Sequence, residues 1–192
     1  MVFSERLFDG GGPRLRDVGE SEVLRRLQEL SGPVAAGLRL GPGDDAAVWA
    51  PPATSEVALS QDALVEDRDF RRAWLSPRAL GRRALAVALS DLAAMGATPA
   101  WCMATLCAPG DTEVEDVLEI QRGLVEAAMA AGCAAAGGDL SDIPRGLVID
   151  VAVGGSGAAG RWLQRDAGRP GDALLVTGTL GGAAAGLRVL QG

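Results

Sequence analysis

Three stretches of the chain carry apolar residues at the spacing that is typical of a helix with a buried face. The first covers residues 19–30. The second begins at Ser76, a residue type favoured at the N-cap, continues at once with proline, and ends at Gly96. The third begins at Thr112, which has the spacing of a capping box with the glutamate three residues later, and ends near residue 132. We therefore expect three helices before residue 133.

Apolar runs that are bounded by turn residues predict strands between and after these helices. They lie at residues 46–50, 56–64, 99–109, 133–139 and 146–154. After the first helix the order is ββαβαββ, which predicts an α+β fold in which helices pack on one face of a mixed β-sheet. After about residue 168 the pattern begins again, with a turn, a strand at residues 173–177 and the start of a helix.

The pattern also predicts how the chain divides into domains. One strand and part of a helix cannot bury a core of their own. We therefore expect residues 1–168 to form one domain and residues 169–192 to be the truncated beginning of a second. Residues 1–17 are rich in glycine and arginine, and we expect them to be mobile.

The composition narrows the chemistry that the chain can perform. Arginine supplies all 18 basic residues, and histidine, lysine, tyrosine and asparagine are absent. These absences exclude histidine-based triads, histidine metal ligands and Schiff-base lysines, and they leave carboxylates, hydroxyls, arginine and backbone amides. The net charge of −7 argues against sequence-independent binding of nucleic acid, which needs clustered cations, and it suits a protein that recruits divalent cations.

Location and redox state follow from other features of the sequence. No run of about 18 apolar residues indicates a membrane span, and the N-terminus lacks the apolar core of a signal peptide. We therefore expect a cytoplasmic protein with no membrane partner. Cys102, Cys107 and Cys133 form no CxxC pair, and strand alternation places the first two on opposite faces. We expect all three thiols to be reduced.

Asp91 is an unusual residue for its place, because it lies in a helix that is apolar nearly all the way round. An isolated buried carboxylate is costly, so Asp91 is expected to be paired, protonated or bound to a metal. The alternative is a narrow solvent-exposed stripe formed with Ser90. From this helix alone both interpretations stay open.

Other aspartates lie at predicted strand ends, next to glycine or serine. They are Asp44, Asp45, Asp62 and Asp139. Each alone is typical of a turn, but the ends of strands in one sheet lie close together. Two carboxylates at 4 Å repel by roughly 4 kcal/mol at an effective dielectric near 20, so such a cluster requires cations. All-oxygen ligands favour Mg²⁺, which in such sites commonly also holds substrate phosphates. The residues thus predict a Mg²⁺–phosphate site and leave kinase or phosphatase open.

The chain resembles the thiamine-monophosphate kinases in five segments that occur in the same order: "GPGDDAAV", "LSQDALVEDRDF", "GRRALAVALSDLAAMGATPA", "GGD" and "GRPGDALLVTGTLGGAAAGL". These kinases share a superfamily with aminoimidazole ribonucleotide synthetase, selenophosphate synthetase and the hydrogenase maturation dehydratase. The resemblance implies Mg²⁺-dependent phosphorylation of thiamine monophosphate to thiamine diphosphate by ATP. It also implies a homodimer in which two sheets form a barrel. Because the family's second domain supplies further contacts, we expect these 192 residues alone to be inactive.

The resemblance also implies roles for particular residues. The metal ligands would be Asp44, Asp45, Ser60, Gln61, Asp62, Asp91 and Asp139. The ATP contacts would be Gly138, Asp139 and Arg165, and the substrate contact would be Asp69; no catalytic base is implied.

The chain departs from the family pattern at three places, which bear on the substrate. Gln61 stands where the family usually has threonine, Asp69 stands where it has histidine, and "LSD" follows "GGD". Two other functions therefore remain open. One is a sister enzyme that activates an amide or carbonyl oxygen with ATP, and the other is a catalytically silent module that binds nucleotide or dimerises.

Overall fold

The computed structural model describes residues 6–32 and 37–192. The chain divides into two compact units, Met1–Trp162 and Leu163–Gly192. The predicted domain boundary after residue 168 lies a few residues beyond this division and stays a prediction. Within the described residues, no helix is both long and apolar enough to cross a membrane.

The first unit contains a mixed four-stranded sheet and its covering helices. The strands of the unit are β1 Leu38–Leu40, β2 Val48–Trp49, β3 Ser55–Val65, β4 Thr98–Ala108, β5 Ala134–Asp142 and β6 Val148–Ala158. The helices are α1 Leu15–Val18, α2 Glu20–Glu29, α3 Pro77–Ala94 and α4 Val114–Ala130, with a 3₁₀ turn at Arg72–Trp74. The large sheet has the order β3-β6-β4-β5; β4 and β5 are parallel and the other pairs are antiparallel, while β1 and β2 form a separate ribbon. The predicted α+β class with a mixed sheet is confirmed.

The boundaries of α3 follow the signals in the sequence. Ser76 Oγ accepts a hydrogen bond of 3.1 Å from the amide of Ala79, and proline occupies the first helical position. Gly96 ends the helix with a φ of 74°, which suits glycine. Helix α4 packs against α3 at Gly81. A side chain at this position would not fit, because a Cβ on Gly81 would lie 1.9 Å from the carbonyl oxygen of Ile120. Glycine therefore brings the two long helices into backbone contact.

Within the described residues of the first unit, these helices cover one face of the sheet, and no helix of this unit covers the other. Along β3, Leu64 is buried against the helices. The alternate residues Val57, Leu59 and Val65 point away from them, and Leu59 is 68% exposed. We call this second surface the open face. Cys102 is buried on the helix side and Cys107 is half-buried, and all three cysteines are free, as predicted.

The segment that we call the N-terminal arm, residues 6–18, lies against the start of α4. Arg6 forms ion pairs with Glu113 and Asp116, whose side chains are fully buried. The amide of Leu15 donates to the carbonyl oxygen of Thr112 at 2.9 Å. The mobility predicted for residues 1–17 stays a prediction: residues 1–5 lie outside the described residues, and the contacts above join the arm to the start of α4.

The N-terminus of α4 differs from the sequence prediction. Its N-cap is Glu113. Among the described residues this end has no side-chain cap, and the buried hydroxyl of Thr112 has no hydrogen-bond partner, so the predicted capping box is wrong. Burial raises the pKa of Glu113. The amides of Gly11 and Gly12 and the guanidinium groups of the arm outweigh burial and hold that pKa below its usual range. The arm thus binds the carboxylate of Glu113 at the N-terminus of α4.

The second unit contains one helix, α5 Gly182–Gln191. The strand predicted at residues 173–177 is not formed, so that prediction is wrong. A strand requires a neighbour to pair its backbone N–H and C=O groups. The described residues of this unit include no other strand that could provide it.

Candidate functional site

A cavity of about 250 Å³ lies among α2, α4, β5 and the loop between β1 and β2. We call it the acidic cavity, because Asp44, Asp45 and Asp139 line it beside Gly138. Asp44 Oδ1 accepts the amide of Asp45 at 2.8 Å, and Asp139 Oδ2 accepts the hydroxyl of Ser141 at 3.2 Å. The structure thus brings together three predicted metal ligands and two predicted ATP contacts from separate parts of the chain, because Asp139 is predicted in both roles.

The two ends of the acidic cavity differ in chemistry. The polar end has carboxylates and the backbone of Gly137 and Gly138. A Cβ on Gly138 would lie 2.1 Å from the carbonyl oxygen of Ala104, so this strand pairing requires glycine. The other walls are apolar or amide side chains from α2 and α4: Leu24, Leu27, Gln28, Val117, Ile120, Gln121 and Leu124. A charged end beside apolar walls suits a ligand that joins a flat ring to an anionic chain.

A second pair of predicted ligands connects β3 to α3. Ser60 Oγ donates a hydrogen bond of 2.6 Å to Asp91 Oδ2. Asp91 is exposed, so the solvated interpretation of this carboxylate agrees with the structure, and its partner is a hydroxyl. Asp62 is half-buried and lies on the same face of β3 as Ser60, because alternate strand residues share a face. Three predicted ligands therefore lie on the helix side of β3.

Gln61 does not join these residues. It lies between Ser60 and Asp62 in β3, so its side chain points to the open face. There its amide donates a hydrogen bond to the carboxylate of Asp150 in β6. The prediction that the Gln61 side chain shares a metal site with its two neighbours therefore needs correction, and strand alternation is the reason. Asp150 is a polar partner that the sequence analysis missed.

The predicted metal ligands do not form one cluster. Within residues 6–32 and 37–192, no three side chains of aspartate, glutamate, cysteine or histidine converge in a way that could hold a metal ion. Mutual repulsion among carboxylates disfavours closer approach when no cation is present. The structure offers two groups of oxygen donors, one at the acidic cavity and one at the Ser60–Asp91 pair.

The predicted substrate contact, Asp69, has a local structural partner. One of its carboxylate oxygens accepts the amide of Val65 at 2.8 Å and closes the turn after β3. In the same turn Asp67 has a φ of 64°, in the left-handed region that is uncommon for residues other than glycine. The predicted ATP contact Arg165 lies in the second unit with its side chain exposed.

A larger cavity of about 820 Å³ lies where β3 and β4 end and β6 begins. We call it the arginine cavity, because four arginines from three separate segments line it: Arg14, Arg16, Arg72 and Arg145. Four carboxylates lie among them: Asp9, Glu66, Asp67 and Asp111. The sequence analysis missed this site, because its residues come from the arm and from three separate turns and share no motif.

A family model and two relatives of known name all place the chain with the same group of proteins. The family model described as AIR synthase related protein, N-terminal domain, matches residues 43–159. The thiamine-monophosphate kinase of Synechococcus elongatus is 40% identical over 178 residues, which are 93% of this chain and 52% of that protein. The thiamine-monophosphate kinase of Corynebacterium glutamicum is 34% identical over 193 residues and is covered to 56%.

Solved structures give the same picture. The thiamine-monophosphate kinase of Stenotrophomonas maltophilia superposes with a TM-score of 0.75 at 34% identity, over 89% of this chain and 51% of that one. The structure of AaThiL complexed with AMPPCP and TMP superposes with a TM-score of 0.68 at 29% identity, over 95% of this chain and 55% of that one. The chain spans about half the length of the proteins it matches.

Proposed function

The chain belongs to the family of AIR synthase related proteins, whose N-terminal domain it carries, and from this premise we propose that it is the nucleotide-binding half of a thiamine-monophosphate kinase. The reaction would transfer the γ-phosphoryl group of ATP to thiamine monophosphate and give thiamine diphosphate. Relatives that carry this name, and a similar structure with AMPPCP and TMP bound, support the proposal. The cytoplasmic location expected from the sequence belongs to the same proposal.

The acidic cavity is the observation that carries this proposal. Its apolar walls suit the base of the nucleotide. The backbone at Gly137 and Gly138 lies beside Asp139 and can approach phosphates closely, because neither glycine has a side chain. The volume of about 250 Å³ lies below the roughly 300–1,000 Å³ usual for ligand pockets, so the cavity would take only part of the nucleotide.

The donor atoms fit Mg²⁺ in type. Asp44, Asp45 and Asp139 at the cavity and Asp91 with Asp62 on the helix side of β3 offer only oxygen, which Mg²⁺ prefers. When bound, Mg²⁺ neutralises charge on the phosphates of the nucleotide. These carboxylates would hold and orient the ion beside the phosphate chain. We assign no metal contact to the side chain of Gln61, since it points to the open face.

The chemistry requires little from the protein besides position. The acceptor phosphate is already a nucleophile, so no strong base is needed, and this agrees with a chain that has neither histidine nor lysine. Catalysis then rests on alignment of the two phosphates and on charge neutralisation. The family's second domain would complete the site, so we expect the 192 residues alone to turn over negligibly.

We further propose that two copies of the chain pair through their open faces. Val57, Leu59, Val65 and Met103 are exposed there, which is unusual for one side of a soluble sheet. A second copy would bury these side chains and merge two sheets into a barrel. The proposed partners are therefore ATP, thiamine monophosphate and a second subunit.

A silent nucleotide-binding module is the second candidate. It is favoured by the turned-away side chain of Gln61 and by the absence of a converged carboxylate cluster among the described residues. Titration of MgADP, followed through backbone amide resonances, tests the part that both candidates share. We expect the resonances of Gly137 to Asp139 to move. Unchanged resonances there, with a folded chain, would contradict the nucleotide site.

A further inference from the structure

The N-terminal arm is held to the first unit in two different ways along its length. Residues 13–18, which we call the inner arm, bond to the loop before α4 through their backbone; for example, the amide of Arg16 donates to the carbonyl oxygen of Gly110 at 2.9 Å. Residues 6–9, which we call the outer arm, make no backbone-to-backbone hydrogen bond within the described residues. The outer arm is therefore held by contacts with side chains.

Two buried carboxylates hold the outer arm. Arg6 donates to both Glu113 and Asp116, whose side chains are fully buried, while its own side chain is 31% exposed. The amide of Asp9 donates to Asp116 Oδ2 at 3.2 Å. In the part of the chain that the structure describes, these are the hydrogen bonds that the carboxylate of Asp116 receives. Release of the outer arm would therefore leave a buried charge without a partner, which is strongly unfavourable.

Three consecutive glycines, Gly10–Gly12, connect the outer arm to the inner arm. Gly11 has a φ of 88°, which glycine adopts without strain. A Cβ on Gly10 would lie 2.8 Å from Nη2 of Arg6, so the bound guanidinium group packs directly against this glycine. The glycines thus allow the turn that brings Arg6 to α4, and they provide a hinge about which the outer arm can move.

The outer arm also contacts the turn after β3 and the arginine cavity. Phe8 is half-buried against the main core, and the guanidinium carbon of Arg72 lies 5.4 Å from the centre of its ring. Arg72 in turn forms an ion pair of 2.9 Å with Glu66. Asp9 lies 3.3 Å from Arg14, and both residues line the cavity. The outer arm therefore joins the start of α4 to the turn after β3 and forms part of the wall of the cavity.

We propose that the outer arm is a strap that closes the arginine cavity. The strap is closed while Arg6 is bound to Glu113 and Asp116, and its release opens the cavity and loosens the turn after β3 at the same time. The inference goes beyond the proposed function, because it requires neither the nucleotide nor the acceptor and is independent of which ligand enters the cavity.

Hydrogen exchange of the backbone amides of the 192-residue chain, measured by NMR, tests the strap. Asp9 reports the lock, because its amide donates to a buried carboxylate. Asp67 lines the cavity and reports the turn after β3, because its amide donates a bond of 2.8 Å within that turn. Arg6→Gln removes the charge that binds the carboxylates, and we expect it to speed exchange of both amides at least about tenfold. The amide of Gly160, beyond the far end of β6, is expected to keep its wild-type rate.

Two further variants make the test decisive. Arg25→Gln also removes an arginine that pairs with two glutamates, but on the exposed surface of α2, and it is expected to change neither reporter. Because Arg6→Gln leaves buried charge without a partner, a second background removes that charge. In Glu113→Gln with Asp116→Asn, we expect fast exchange at both reporters, and added Arg6→Gln is expected to change either rate less than about twofold.

The possible results decide for or against the strap. Faster exchange at Asp9 and Asp67 together, in Arg6→Gln but not in Arg25→Gln, supports it. Faster exchange at Asp9 with an unchanged rate at Asp67 would show a tail that is independent of the turn, and would overturn the inference. An unchanged rate at Asp9 in Arg6→Gln, or an equal effect of Arg25→Gln, overturns it as well. No nucleotide is present in these measurements, so failure of the proposed function leaves their result unchanged.

Discussion

Ser60 Oγ donates a 2.6 Å hydrogen bond to Asp91 Oδ2, and this bond joins the middle of β3 to the last turns of α3. The two residues are 31 positions apart in the sequence. The bond gives the aspartate of an otherwise apolar helix a defined partner and keeps it accessible to solvent. Asp91 therefore does not need to be buried or protonated in this helix, because it is exposed and has a hydroxyl partner.

The two partners of this bond are expected to differ in role: replacing Ser60 should mainly lower stability, and replacing Asp91 should mainly affect Mg²⁺ binding. Ser60→Ala removes the donor and is expected to lower the free energy of unfolding by about 1 kcal/mol. Asp91→Asn keeps an acceptor oxygen, so it is expected to cost less stability but to abolish the Mg²⁺ dependence of nucleotide binding. Urea denaturation and titration of ADP with and without Mg²⁺ check both outcomes. Ser90→Ala, which loses only a bond to the carbonyl of Val87, serves as the control.

Asp139 is expected to be the residue at the acidic cavity on which nucleotide affinity depends most. Asp139→Asn removes the charge at the polar end and keeps the size of the side chain. We expect affinity for MgADP to fall about tenfold, and affinity for ADP without metal to change little or to rise. Calorimetric titration measures both. Equal loss with and without Mg²⁺ would show that the carboxylate serves the nucleotide directly.

Near the end of the first unit, two hydrogen bonds to the carboxylate of Glu56 are expected to depend on pH. Glu56 accepts hydrogen bonds from the amide of Gly160 and from the indole Nε1 of Trp162, and these bonds hold the pKa of Glu56 below its ordinary value. Because the ionised form makes them, their stabilisation is present at neutral pH and is lost as pH falls through the lowered pKa. We expect Glu56→Gln to have a lower Tm than wild type at pH 7, with the difference shrinking in acid.

Thermal unfolding followed by tryptophan fluorescence over a pH series checks this expectation. Glu20→Gln, an exposed glutamate on α2, is the matched control and is expected to follow wild type. A Glu56→Gln variant whose Tm difference from wild type stays constant from neutral to acid pH would contradict the assignment.

If two copies pair through the open face, a charge introduced on that face should weaken self-association, and a charge introduced elsewhere should not. Leu59 is 68% exposed on the open face, and Met129 is 58% exposed on α4. Leu59→Glu is expected to weaken self-association at least about tenfold, and Met129→Glu is expected to leave it unchanged. Analytical ultracentrifugation over a concentration series measures the difference. Equal effects of the two changes would place the interface elsewhere.

Elements specified by local signals could be predicted from the sequence. Ser76 with its proline and Gly96 specified α3, because capping and positive φ depend on neighbouring residues alone. The capping box at Thr112 failed because the N-cap is Glu113, one residue later, and because the carboxylate of Glu115 pairs with Arg122. The strand at 173–177 failed because strand formation depends on a partner that the local pattern does not supply.

The candidate site was likewise predictable only where local motifs contain its residues. Asp44, Asp45 and Asp139 share a cavity as their motifs suggested. Strand alternation alone places the side chain of Gln61 opposite those of Ser60 and Asp62, so this separation could be predicted from the sequence; only the fold shows which of the two faces carries the helices. The arginine cavity is assembled from four separate segments, so only the fold brings its residues together.

The most direct test of the central claim is phosphorus NMR of a chimaera. In it, the chain is followed by the part of the Synechococcus elongatus kinase that the chain does not match, and a cooperative thermal transition shows that it is folded. With MgATP and thiamine monophosphate, we predict thiamine diphosphate resonances that grow in step with ADP, and none in the Asp139→Asn chimaera. A folded chimaera that binds MgATP but forms no thiamine diphosphate would contradict the kinase and favour the silent module.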